Sequence, residues 1–163
     1  MRYFLAAALL AFCSVAWSDA EAATAIGSFN VTVLIAATCV VTSATTLDFG
    51  TAGVLAANTD QTSTINVTCT KTTPYSIGLS KGANGGSVTT RQMKGVVGAS
   101  LINYSVFSDA PRTVNWGDTG GTGLDSGTGN GSAQPFSVFG RAPPQTTPQL
   151  DTYNDTITVT VSY

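Results

Sequence analysis

The chain has 163 residues, with seven Lys/Arg against nine Asp/Glu, no His and a formal net charge of −2. So thin and balanced a charge leaves no electrostatic footprint for nucleic acid or an anionic membrane, and the lack of His removes the usual catalytic base. The length suits one domain with a real core, and the abundance of Gly, Thr, Ser, Val and Ala favours strands and turns over surface helices.

The first element reads as a processing signal. Arg2 supplies a minimal positive start, Phe4 to Ala16 is an apolar run of secretory length, and Ala20-Glu21-Ala22 fits a small-x-small cleavage pattern. This predicts a signal peptide over residues 1–22 and a mature chain from Ala23. The run is short for a bilayer span, which a retained anchor would need, and no later segment is continuously apolar for long enough to cross. An exported protein without a transmembrane segment after cleavage is expected. Cys13 leaves with the leader, so Cys39 and Cys69 remain. One pair in an exported chain reads as a disulfide; a metal or redox pair would want His, further Cys or a C-x-x-C spacing.

Strand patterns separated by turns follow. Phe29 to Val41 begins with alternation, Phe29, Val31, Val33 and Ile35 sharing one face, and runs through Cys39. Leu47-Asp48-Phe49-Gly50 is a short candidate strand. Thr62 to Thr70 alternates with Ile65, Val67 and Cys69 together, and Tyr75 to Leu79 is a further strand closed by the turn residues Lys81 to Gly86. Met93 to Val97 fits part of a hairpin, and Leu101 to Phe107 a central strand with Ile102, Tyr104 and Val106 on one face. Trp116 to Ser132 contains seven glycines and no periodicity, the pattern of a long exposed loop. Phe136 to Gly140 is a strand, Pro143-Pro144 and Pro148 mark a connection, and a terminal strand runs from about Tyr153 to Tyr163. Many short strands without helices between them indicate an antiparallel β-sandwich.

Several motifs invite a catalytic reading and do not sustain it. Asp118-Thr119-Gly120 and Asp125-Ser126-Gly127 look like a pair of aspartic-protease signatures, but both lie in one glycine-rich stretch rather than in two packed halves of a cleft. A calcium loop would need more acidic ligands and a bidentate Glu, which the mature chain lacks. A Ser–Lys pair would have to use Lys71, Lys81 or Lys94 from turn-like segments, and Gly82 to Gly86 lacks the context of a phosphate loop. Asn30, Asn66, Asn103, Asn130 and Asn154 each open an N-x-Ser/Thr triplet, a common accident in a Thr/Ser-rich chain. No enzyme and no cofactor are expected.

The alternating ends carry the functional signal. If the terminal strand, with Ile157, Val159, Val161 and Tyr163, lacks a neighbour, a groove opens along it, walled by free ladder groups. An extended segment with apolar residues at every second position fills such a groove by strand addition, and Ala23–Val33 has that character. The periodicity equally allows the two ends to pair within one closed monomer.

In order and spacing, these elements resemble the archaic, Csu-type chaperone–usher pilins that share the spore coat protein U domain. The resemblance rests on Val31-Thr32-Val33 leading to Cys39, Leu47-Asp48-Phe49-Gly50, Asn66-Val67-Thr68-Cys69, Tyr104 to Arg112, Val138-Phe139-Gly140 and Tyr153 to Val161. It implies an all-β, incomplete immunoglobulin-like sandwich completed by donor-strand complementation. It divides the mature chain into a donor segment at 23–33 and a pilin body at 34–163. Phe29, Val31, Val33 and Ile35 would be donor-strand residues, Ile157, Val159, Val161 and Tyr163 would edge the acceptor groove, and Cys39–Cys69 would be the family disulfide. The implied partners are sister subunits joined head to tail, a periplasmic chaperone and an outer-membrane usher. The implied role is a structural subunit of a cell-surface pilus supporting attachment and biofilm formation. Alternatives are a spore-coat or secreted surface protein of the same fold, and a carbohydrate-binding module using Trp116 as a stacking platform.

Overall fold

A computed structural model describes residues 21–163; of the expected signal peptide over residues 1–22, residues 1–20 lie outside the described residues. The chain divides between Val33 and Leu34. Residues 21–33 have no regular secondary structure, and every one of them is exposed.

The body is built from nine strands: β1 (Cys39–Ala44), β2 (Thr59–Cys69), β3 (Pro74–Leu79), β4 (Arg91–Gly95), β5 (Leu101–Phe107), β6 (Asp125–Thr128), β7 (Ala133–Ala142), β8 (Tyr153–Asn154) and β9 (Val159–Ser162). They form a six-stranded sheet in the order β1-β2-β7-β5-β4-β8 and a three-stranded sheet in the order β6-β3-β9. All pairings are antiparallel. The core lies where alternation directs it. Ile65, Val67 and Cys69 of β2, Tyr75, Ile77 and Leu79 of β3, and Tyr104 and Val106 of β5 point inward and are buried. Each large aliphatic side chain so buried contributes roughly 1.5–3 kcal/mol. Pro135 sits within β7 opposite Asn66 of β2. Its other neighbour, β5, pairs only with Phe139 to Arg141, so the missing N–H costs no bond on that side.

Sequence and structure agree on β2, β3, β5 and β7, and Met93 falls in β4, which pairs with β5 as a hairpin. They differ in four places. The regular strand expected from Phe29 starts only at Cys39. Leu47 to Gly50 is irregular, although Leu47 and Phe49 pack against the core. The glycine-rich stretch contributes β6 to the small sheet, and its first residue, Trp116, is fully buried. Finally, the terminal run is two strands, not one: β8 pairs with β4 in the large sheet, whereas β9 pairs with β3 in the small sheet. The backbone crosses between sheets at residues 155–158, just where Asn154-Asp155-Thr156 interrupts the alternation, a break that does not say which sheet the chain joins next.

Candidate functional site

Each sheet ends in two edge strands, β1 and β8 in the large one and β6 and β9 in the small one, and the β1 and β9 edges frame the candidate site. β1 pairs only with β2, β9 pairs only with β3, and β1 lies beside β9 across the sandwich. Between them the core is incompletely covered. Cys39, Leu47, Phe136, Ile157, Val159 and Val161 pack against the buried cluster but keep part of their surface exposed. Val67, Ile77 and Val106, in the interior, are sealed completely. Neither β1 nor β9 contains a charged residue. An edge of this kind, apolar and with free N–H and C=O groups, is a template for another strand.

The body carries two concave surfaces, one beside this gap and one against β4, β5 and β8. Beside the start of β1 and the end of β9 is a shallow depression of about 370 Å³ lined by Ile35, Ala37, Thr70, Lys71, Pro74 and Tyr163. Beyond the end of β1 and before β9 is a larger one of about 640 Å³, with Leu47, Phe49, Leu55, Met93, Ile102 and Tyr153 in its wall. The Cys39–Cys69 disulfide closes a separation of 30 residues and fixes the first residue of β1 to the last residue of β2.

The expected site residues fall as follows. Phe29, Val31 and Val33 precede the body and are exposed; Ile35 belongs to the body and is also exposed. Val159 and Val161 are in β9, facing Leu79 and Ile77 of β3. Ile157 lies in the crossing segment, and Tyr163 follows β9 and is 61% exposed, so it does not cover the core. Trp116 cannot stack on a sugar: it is enclosed, and its indole Nε1 donates to the Ile77 carbonyl at 2.9 Å. The carboxylates of Asp118 and Asp125 accept from the following backbone N–H groups of Thr119 and Ser126, as turn formers do.

Sequence reasoning missed a buried polar network. Arg91 is fully enclosed, and its guanidinium donates to the carbonyls of Leu79, Ser80, Val88 and Trp116 at 2.8–2.9 Å. Burial holds its pKa below the usual arginine value, while Tyr104, Asp118 and Asp155 act in the opposite sense. The Tyr104 hydroxyl donates to Asp155 Oδ2 at 2.6 Å; burial, then this bond, push its pKa far above the ordinary tyrosine range. Asp155 Oδ1 accepts from the Ala83 N–H and the Asn84 amide. Its members are far apart in the chain, Arg91 opening β4, Tyr104 within β5 and Asp155 between β8 and β9, so no local pattern announces their meeting.

The fold is an antiparallel immunoglobulin-like sandwich. It aligns with a chain of the CsuC–CsuE chaperone–tip adhesion subunit pre-assembly complex of Acinetobacter baumannii, with a TM-score of 0.55 and 21% identity over 79% of this chain. The present chain spans 40% of that one. A chain from a chaperone–tip adhesin complex of CFA/I fimbriae aligns with a TM-score of 0.48 and 13% identity, covering 77% of this chain and 41% of its own length. Residues 25–160 match the Spore Coat Protein U domain, and the chain belongs to that family. Protein U of Myxococcus xanthus is 32% identical over 173 residues, covering 98% of this chain and 96% of that protein. The family is structural rather than enzymatic, and membership implies an exported, surface-associated protein.

Proposed function

We propose that this protein is a structural subunit of a chaperone–usher pilus, polymerising by donor-strand exchange through its N-terminal segment and supporting surface attachment and biofilm formation. The observation that carries this reading is the half-covered row of core side chains between the unpaired edges of β1 and β9. Residues 23–33 are the donor, with Phe29, Val31, Val33 and the following Ile35 in one register; these side chains are exposed, and Phe29, Val31 and Val33 alternate with the polar Asn30 and Thr32. Burying Phe29, Val31 and Val33 in a neighbour's groove would contribute roughly 5–9 kcal/mol gross, and each new ladder bond about 1 kcal/mol. Ordering the segment offsets part of this gain. Such a head-to-tail contact does not close on itself and therefore builds fibres. During export a periplasmic chaperone fills the groove, and an outer-membrane usher exchanges its strand for the next subunit's donor.

A spore-coat role is the second reading, favoured by the near full-length match to Protein U. The same edge would then join subunits in a coat. Deleting Ala23–Val33 tests the shared mechanism. The truncated chain is expected to remain as a soluble, chaperone-bound subunit giving no ladder of polymers on an unheated gel. Fibres formed by the truncated chain would rule out the donor assignment.

A further inference from the structure

The acceptor edge has a register problem that its own sequence cannot solve. From Ile157 to Tyr163 the chain alternates strictly, Ile-Thr-Val-Thr-Val-Ser-Tyr. In the structure β9 sets Val159 opposite Leu79, Val161 opposite Ile77 and Ser162 opposite Ser76. A slip of one residue would turn the valines outward and is excluded by burial. A slip of two residues, about 7 Å along the strand, preserves every inward and outward assignment. It would place Ile157 opposite Leu79, Val159 opposite Ile77 and Thr160 opposite Ser76, and would carry Tyr163 past Pro74, the first residue of β3. Four residue pairs on a single edge give little ground for choosing between these registers.

Polar contacts at the entry to β9 distinguish them. Asp155, in the segment that crosses between sheets, accepts from Tyr104 of β5 and from Ala83 and Asn84 beyond β3. A Cβ on Gly82 would run into the Asp155 carboxylate, so the glycine leaves that carboxylate its seat. Three residues on, Thr158 exchanges bonds with Ser80: its N–H donates to Ser80 Oγ at 2.9 Å and its carbonyl accepts the Ser80 N–H at 3.0 Å. The Ser80 carbonyl is in turn held by Arg91. A two-residue slip breaks every one of these bonds at Asp155 and Thr158 while leaving the apolar pattern intact.

We propose that Asp155 and Tyr104, together with Ser80 and Arg91, are positioning residues that set the register of the acceptor strand β9. Their consequence for assembly, a fixed ladder offered to the incoming donor, rests on the function proposed above; the register assignment does not.

Cysteine pairs on the outward face of β3 and β9 test it in the full chain. Ser76→Cys with Ser162→Cys reports the observed register, and Ser76→Cys with Thr160→Cys reports the slipped one. With Asp155 intact, the first pair is expected to bridge and the second not. In Asp155→Ala the ratio of slipped to observed cross-link should rise about tenfold or more, since three hydrogen bonds are lost, and Asp155→Asn, which keeps an acceptor for Tyr104, should restore most of the observed register. If Asp155→Ala does not accumulate as folded protein, Tyr104→Phe takes its place, removing one hydroxyl and keeping the ring. A folded variant that cross-links only in the observed register, with β9 amide exchange unchanged, overturns the assignment. Polymer yield is scored separately: an intact chain that cross-links as expected but never polymerises would refute the assembly reading and uphold the register assignment.

Discussion

Each sheet has two edges, and the two are treated differently. In the small sheet, β6 is Asp-Ser-Gly-Thr, with a charge at its start and a glycine whose place leaves no room for a Cβ beside the Tyr75 ring. Its opposite number β9 is Val-Thr-Val-Ser, uncharged and apolar on the core side. In the large sheet, β8 is cut to two residues, whereas β1 runs for six with Val40 and Val41 partly bare. Shortness, glycine and charge are the means by which sheets discourage edge-to-edge pairing. Charge and glycine are present at β6 and extreme shortness at β8, whereas β1 and β9 carry neither charge nor glycine. The bareness of the second pair is thus specific to one gap and not a general looseness of the body.

The contrast can be broken most severely from the sealed interior. Arg91→Met removes the donors for four carbonyls and should cost about 3–5 kcal/mol, measured as a shifted denaturant midpoint or as failure to accumulate. A paired truncation sharpens the comparison: Val67→Ala, in the closed core, should cost about 2–3 kcal/mol. Val161→Ala, at the open edge, should cost under about 1 kcal/mol in the free subunit, and the gap between the two should narrow once the subunit is in a polymer. The smallest effect is that of pH. Asp60 is held below the usual carboxylate pKa foremost by its bond to Arg141, Asp109 by its bond to the Thr113 hydroxyl, and Asp151 by the Gly98 N–H. A depressed folded pKa adds stability that is present above the unfolded value of about 4 and lost as pH falls through the folded value. Urea midpoints should therefore be flat from about pH 5 to 8 and decline below about 4, the decline being shallower in Asp109→Asn.

Much of the sandwich was legible because its inner strands alternate. Thr62 to Thr70, Tyr75 to Leu79 and Leu101 to Phe107 each put apolar residues on one face, and tertiary packing used that face. Trp116 was misplaced because a glycine-rich stretch follows it, and local composition says nothing of a side chain that turns back into the core to meet Ile77. The β8–β9 switch was hidden because the polar break at Asn154-Asp155-Thr156 is indifferent to which sheet supplies the next partner. Tyr163 shows the same limit: its parity matches Val159 and Val161, yet it follows β9 and is mostly exposed. Arg91, Tyr104 and Asp155 were illegible because their meaning arises only when distant segments meet.

The bridge between Cys39 and Cys69 has a mechanical meaning. It occupies the opening rung of the β1–β2 ladder, nearest the point where the N-terminal segment enters the body. Traction on that segment would otherwise peel β1 away one rung at a time, beginning there. The covalent rung diverts the load into β2, the longest strand, which pairs with β7 at ten positions.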